Sequence, residues 1–361
     1  MTFDRSRPAL FATVLGMLLT SGASNAAMFC ATTGDQLATA LNTADSNNTD
    51  DEIRVSVGFK TRPGLGNGQT RWVYLEAASD ADNDLILTGG WNAACTTKFP
   101  SPPSQLDAEL GGSGLDIQLT ANSVAAITVS DIEILRGYTN TSFNFSGLRV
   151  TSPGAATPLV MLDRVRVRNS GSDGDSSGIV RLELNGGNLT LRNSQISQNR
   201  SFSGASLIAN AGAGGEINVN NNTVIDNTDS EPNAAGAVGG VSLFGAGIIN
   251  AYNNVFFDNT SSNSSDLAVA SGVGVLSNNH IGILRGTPAA NANRTQGDPR
   301  ITFNNSWYTV LAANSPLRDS GSTFVPTGAG ANDLQNQPRV QGARIDRGAV
   351  EFDQMFGNGF E

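Results

Sequence analysis

Six similar segments strung along the middle of the chain restrict its fold more than any other feature. They are Val129–Arg136 (VSDIEILR), Leu162–Asn169 (LDRVRVRN), Leu191–Asn199 (LRNSQISQN), Val219–Asn227 (VNNNTVIDN), Ala251–Asn259 (AYNNVFFDN) and Leu276–Leu284 (LSNNHIGIL). Aligned on an inward apolar residue, they place Ile134, Val167, Ile196, Val224, Phe256 and Ile281 in one column, at spacings of 33, 29, 28, 32 and 25 residues. Period-two apolar residues broken by Gly and Asn at that spacing suit a solenoid coil of three short strands and three turns. A leucine-rich repeat demands a regular run of leucines, and propeller blades are longer with an aromatic signature of their own; neither pattern is present. The expected fold is therefore all-β: a right-handed parallel β-helix with three strands per coil.

A second strand precedes each marker, at Gly147–Thr151, Ile179–Leu184, Ala205–Ala209, Gly240–Phe244 and Asp266–Ala270. Between the two strands lie glycine-rich turns such as Gly186-Gly187 and Gly212–Gly215, where tight corners favour positive φ. Three residues before the later markers sit Asn193, Asn221, Asn253 and Asn278. Equivalent positions on successive coils stack about 4.8 Å apart, so these four are expected to form a hydrogen-bonded asparagine ladder. That reading outweighs a polar ligand groove at the same positions.

The 361 residues exceed one ordinary compact domain, which a solenoid tolerates because its core grows lengthwise. A net charge of −10 disfavours nucleic acid as a partner and gives no reason to expect attraction to polyanionic glycans or anionic lipid. Arg5 and Arg7, the apolar run at 9–20 and Ser24-Asn25-Ala26 read as a secretory signal peptide over residues 1–26, too short to span a bilayer. No later stretch reads as a membrane span. The two cysteines, Cys30 and Cys95, are then expected to pair in an oxidising compartment. A lipid anchor at Cys30 is disfavoured because Phe29 stands where a small residue is needed, and the two cysteines with the one histidine match no zinc spacing.

Both ends of the chain carry a resemblance. Phe29-Cys30, Gln36–Leu41 (QLATAL), Asp51-Glu52-Ile53 and Leu87–Cys95 (LTGGWNAAC) are similar to the capping region and first coil of exported right-handed β-helix proteins. Asp298-Pro299, Ser315–Gly321 (SPLRDSG) and Asp346–Glu351 (DRGAVE) resemble the closing region of bacterial choice-of-anchor Q domain proteins. Arg318 and Val350 depart from that family, where a small apolar residue and an aromatic are commoner. The resemblance covers the mature chain and implies the fold, but it carries no defined activity. Residues 27–50 would form an N-terminal cap with a helix near 35–44, 51–295 the β-helix, 296–353 a C-terminal cap segment and 354–361 a tail. The helix would hold roughly eight or nine coils and extend about 40 Å. The ending Met355–Glu361 (MFGNGFE) resembles short sorting or secretion signals of some Gram-negative exported proteins; a flexible terminus is the alternative.

Candidate chemistry is sparse. Asp226 and Asp258 occupy one position on adjacent coils, as paired carboxylates of a glycoside hydrolase or calcium-dependent lyase would, yet both precede an Asn at a turn, where Asp is favoured for local bonding. Arg164, Arg166 and Arg168 alternate with Val165 and Val167, so the three arginines point outward together as a patch for an anionic glycan. Alternatively, Asp131 and Glu133 of the preceding coil neutralise Arg164 and Arg166. Asp80, Asp82 and Asp84 begin like a calcium loop but lack its Gly and Glu, and Asp173-Gly174-Asp175 is similarly incomplete. His280 is read as outward, without a nucleophile elbow to serve. Trp72, Tyr74, Trp91, Tyr138, Tyr252, Trp307 and Tyr308 are read as scattered outer-face aromatics, the pair at 307–308 closing the last coil.

These readings make the chain a monomeric, non-catalytic exported protein, extracellular or on the outer surface of a Gram-negative cell, with the periplasm as a further location. It would present a flat face to a glycan or a surface protein. A polysaccharide lyase or glycoside hydrolase on the same scaffold is the alternative, and an autotransporter passenger is disfavoured because no barrel sequence follows. No cofactor is required; calcium is left open.

Overall fold

Alternating side chains on short strands can bury one face only if the strands stack, and the chain does this by coiling. The computed structural model describes residues 26–61, 71–139, 144–173, 178–202, 204–231, 237–262, 265–270, 272–304 and 308–352. All but the last residue of the signal peptide expected at 1–26, and the tail expected at 354–361, lie outside them. Successive strands pair in parallel, forming a parallel β solenoid with three long stacks and a fourth, four-stranded one of two-residue strands running from Tyr138–Thr139 to Thr228–Asp229.

The first stack runs from Ala27–Ala31 through Leu85–Trp91, Ala126–Ser130 and Leu159–Asp163 to Ile248–Tyr252, Val275–Ser277 and Ala290–Ala292. The second is an eight-stranded sheet from Gly58–Thr61 to His280–Ile281. The third begins at Trp72–Leu75 and Leu115–Gln118 and ends at Leu284–Arg285. Two long strands, Gly178–Arg192 and Leu207–Asn220, run through the corner between the third and first stacks and join them into one sheet.

The aligned markers do stack: Ile134, Val167, Ile196, Val224, Phe256 and Ile281 are consecutive partners in the second sheet, each at most 2% exposed. Leu87, Val129, Leu162, Leu191 and Val219 face them from the first stack as part of one continuous apolar core.

Asparagine columns hold the corners, but they stand one residue away from the expected position. Asn193, Asn221, Asn253 and Asn278 all have φ between 51° and 58°, and they make the left-handed bend that leads into the second sheet. Of the expected ladder only Asn253 to Asn221, at 3.0 Å, forms among the four. The continuous ladder is at the next residue: Asn222 donates to Asn254 and Asn254 to Asn279, at 3.1 and 2.9 Å, while each Oδ1 also accepts the backbone N–H of the coil before. A second ladder, Asn199 to Asn227 to Asn259 at 2.9 and 2.8 Å, runs along the opposite corner of the second sheet and is closed by Asp266.

The N-terminal end is closed by a helix at Gly34–Ala44 with a Thr33/Gln36 capping box, close to its expected bounds. Leu37 and Leu41 bury against the first coil, and the Trp72 indole donates to Gly34 O at 3.0 Å. Trp72 and Tyr74 are thus core residues, not outer-face aromatics. Cys30 and Cys95 form the expected disulfide, closing a separation of 65 residues. Because a cross-link of that span mainly restricts the unfolded chain, reduction is expected to lower stability by about 2–4 kcal/mol. Denaturant titration with and without reductant measures this, and an unchanged midpoint would show that the bond constrains nothing.

The C-terminal segment does not sit as a plug on the last coil. From Tyr308 to Phe352 it runs back along the outside of the second sheet and its entry corner. Thr309 N donates to Gln195 Oε1, Asn220 to Thr327 Oγ1, Asn193 to Ala329 O, and Ala349 N to Thr223 Oγ1, all at 2.9–3.1 Å. The DRGAVE residues form the clasp that docks it. Arg347 reaches Asn279 O at 3.3 Å and Ser320 O at 3.1 Å. Gly348, at φ +100°, donates to Asn253 O where a Cβ would press on Thr223 Oγ1 at 2.8 Å. Asp346 accepts from Asp319 N and Phe352 N, both at 2.6 Å. His280, read as outward, is fully buried by the turn that follows, with its ring nitrogens 3.0 Å from Thr295 Oγ1 and Gly297 O.

Candidate functional site

The C-terminal segment decides which faces remain open, and it removes the arginine patch. Arg166 is 3% exposed, lies 3.2 Å from Glu133 Oε1 and carries the Tyr308 ring 4.0 Å above its guanidinium. Arg168 also pairs with Glu133, at 2.6 Å. Arg164 is not on the strand at all: it takes the left-handed corner position at φ 55° and donates to Asp131 at 2.8 Å and Asp163 at 2.7 Å. Burial works against ionisation of Asp131, but Arg164 and Lys98 together hold its carboxyl below the ordinary range. The three arginines do not project together into solvent; they are spent in ion pairs with Asp131 and Glu133 of the preceding coil and, for Arg164, with its own neighbour Asp163 as well.

Asp226 and Asp258 lie on adjacent coils, at the exposed left-handed corner that leaves the second sheet, with φ of 57° and 56°. Partial burial pushes the Asp226 carboxyl up, against a Gln198 hydrogen bond, and the charge of Asp258 adds to the rise. One coil of separation, about 4.8 Å, is near that of a retaining glycosidase pair, but both side chains are exposed and neither lines the larger hollows of the surface. Asp84 accepts the Ala126 N–H at 2.7 Å and so serves the turn into the first stack; Asp82 is exposed, and the side chain of Asp80 lies outside the described residues. Asp173 accepts the Tyr138 hydroxyl, while Asp175 lies outside them too. Among the described residues no group of three or more His, Cys, Asp or Glu is arranged to hold a metal ion.

A crevice of about 10 Å³ lies between Asp131, Arg164, Arg166 and Tyr308, too small for a ligand. Roomier concave surface occurs on both sides of the corner that links the third and first stacks. One hollow, about 310 Å³, has a floor of Gly187, Gly214 and Gly215 and is flanked by Leu159 and Ile248, 58% and 55% exposed, with Asn188 and Glu216 between them. The other is a groove of about 530 Å³ lined by Leu75, Glu76, Gln118, Leu119, Thr120, Thr151, Ser152, Pro153, Glu183, Asn185 and Asn210. Leu75, Gln118, Thr151, Glu183 and Asn210 are partners on five consecutive strands of the third stack, so they form one column along the solenoid axis. Glu76, at the end of the groove, is buried and fully engaged by Thr120 N, Thr120 Oγ1 and Ser123 Oγ at 2.7–2.9 Å.

Neither hollow contains any sequence-predicted site residue, and neither is lined by Arg, Lys or His. The signal for the larger groove was nonetheless present in the second-strand segments: Thr151 and Glu183 are their outward positions, flanking inward Val150 and Leu182 or Leu184. Aligning those segments with one another would have exposed the column. No helix among the described residues is long and apolar enough to cross a membrane. Set beside protein-family models, curated proteins and solved structures, the chain matches none of them.

Proposed function

We propose that this chain is a non-catalytic, exported right-handed β-helix protein of the choice-of-anchor Q type, presenting its uncovered faces for binding a glycan or a surface protein. The right-handed sense follows the strong preference of parallel crossover connections. Export is supported by the N-terminal pattern and by the disulfide.

The observation that carries the reading is that, among the described residues, acid and cation meet in a concavity only where there is no room for a sugar. The crevice lined by Asp131, Arg164 and Arg166 under Tyr308 holds about 10 Å³, and its charges are already paired. A hydrolase or lyase needs two carboxylates, or a carboxylate with a cation, converging on one cleft. Here the exposed acid pair, Asp226 and Asp258, lines neither of the two larger hollows, and those two are lined without a cation. In the larger groove Glu76 adjoins Leu75, three strands from Glu183, which puts the two about 14 Å apart, beyond the separation either glycosidase mechanism uses.

Incubating the mature protein with acidic and neutral polysaccharides, with and without calcium, and reading reducing and unsaturated ends, is expected to show no product. Depolymerisation of one polymer that disappears in Asp226→Ala or Asp258→Ala would replace this reading with the enzymatic one.

A further inference from the structure

The side chains that line the larger groove differ from the corner asparagines in how their hydrogen bonds are spent. Asn222, Asn227 and Asn254 use both amide ends within the protein. In the groove, Gln118 donates to Asp116 and keeps Oε1 open, and Glu183 accepts from Arg181 through Oε1 and keeps Oε2. The Thr151 hydroxyl and the Asn210 amide are committed to no described residue. All four are half-buried, held on strands whose inward neighbours are locked in the core.

We infer that this groove is a subsite for a neutral, linear glycan segment lying along the solenoid axis. Four polar side chains repeat at one strand spacing, about 4.8 Å, over a length of about 19 Å counted from Leu75. They offer amide, hydroxyl and carboxylate groups that pair with sugar hydroxyls as donors and acceptors alike. Leu75, 56% exposed, and Pro153 supply the apolar edge for the C–H faces of a ring. The volume is within the range of sites that take small ligands.

The alternatives fit less well. An extended peptide repeats its same-face side chains every ~6.6–6.8 Å, out of step with the column, and the third stack's backbone is already paired from strand to strand, so a strand has no edge to join along the groove. A uronic-acid polymer meets a net charge of −10, and the cation beside the groove, Arg181, is already paired with Glu183 at 2.7 Å.

This assignment rests on the binding reading above, and its test separates the two. The mature protein would be titrated calorimetrically with hexasaccharides of β-1,4-linked glucose, mannose and xylose and with an oligogalacturonate, and each mixture then checked for cleavage. At least one neutral hexasaccharide is expected to bind and the oligogalacturonate not. Thr151→Arg, which blocks the middle of the column from an outward position, is expected to weaken binding at least tenfold, and Asn210→Ala severalfold. Ile248→Arg, in the other hollow, should leave it unchanged. Binding unaffected by Thr151→Arg would overturn the groove while leaving the protein a glycan binder. Absence of any neutral-glycan binding would overturn the assignment and leave a protein partner, and cleavage would instead overturn the non-catalytic reading.

Discussion

Asn227→Ala is expected to destabilise the solenoid by about 3–6 kcal/mol, while Asp226→Gly at the adjacent residue changes stability by no more than about 0.5 kcal/mol. Asn227 is fully buried; its amide donates to Ile196 O at 3.0 Å and Asn259 Oδ1 at 2.8 Å, and its Oδ1 accepts from Asn199 N and Nδ2 at 3.1 and 2.9 Å. Alanine leaves several of these groups without a partner inside the protein, each at about 1–3 kcal/mol, in a place where a well-packed strand offers little room to relax. Asn227→Asp should fail similarly despite its shape, since a carboxylate cannot donate to Ile196 O. Asp226, by contrast, is exposed at φ 57°, a conformation glycine adopts without the Cβ penalty. Because each coil stacks on its neighbours, the loss at one coil is felt along the stack. Denaturant midpoints of the three variants decide the matter: a cost below about 1 kcal/mol for Asn227→Ala would mean the ladder is decoration, not support.

The same pair of neighbours shows what the residues disclosed and what they withheld. The core column from Ile134 to Ile281 was readable because apolar residues alternate with polar ones there, and a strand's side-chain period is two. The ladder was displaced by one residue because asparagines come in pairs, Asn221-Asn222, Asn253-Asn254 and Asn278-Asn279, and only the left-handed φ of the first turns the second inward. Nothing in the residue types reveals that sign. Trp72 and Tyr74 were misplaced for a related reason: in WVYL every residue is apolar, so alternation carries no phase. The Asp131–Arg164 and Glu133–Arg166 pairs followed from register, but the burial of Arg166 came from Tyr308, some 140 positions later in sequence, docking by long-range packing that no local pattern encodes. The groove was hidden differently: its residues are ordinary outward strand positions, and only counting unspent hydrogen bonds separates them from a solvated face.

Removing the cation beneath the C-terminal clasp is the second large effect. Arg339 is buried, donates to Asp346 O and Gly348 O at 3.1 and 2.5 Å and lies 3.3 Å from Glu351, with Asp333 and Asp346 close by, all three acids at most 5% exposed. Arg339→Met is expected to cost about 3–5 kcal/mol, because it leaves buried carboxylates without their counter-charge. The loss should localise: hydrogen exchange at the Gly348 and Ala349 amides, which bond to Asn253 O and Thr223 Oγ1, should accelerate, while the amide of Leu182 in the third stack stays protected. Equal acceleration at both places would mean the segment and the solenoid unfold together and the clasp is not a separable unit. One arginine cannot balance three acids, so the cluster is also pH-dependent. Burial pushes Glu351 up from 4.5 to about 8, with Arg339 opposing and Asp346 adding to the rise. A carboxyl whose docked value exceeds its unfolded one favours the protonated, docked form, so this contribution is complete below about pH 4.5 and is lost as the pH climbs through about 8. Exchange at Gly348 should therefore quicken between about pH 5 and pH 9 by more than the intrinsic base catalysis of exchange, and Glu351→Gln should remove that excess. An excess that survives Glu351→Gln would place the titrating proton on Asp346 or Asp333, whose carboxyls burial also raises, and would move the hinge of the clasp to that residue.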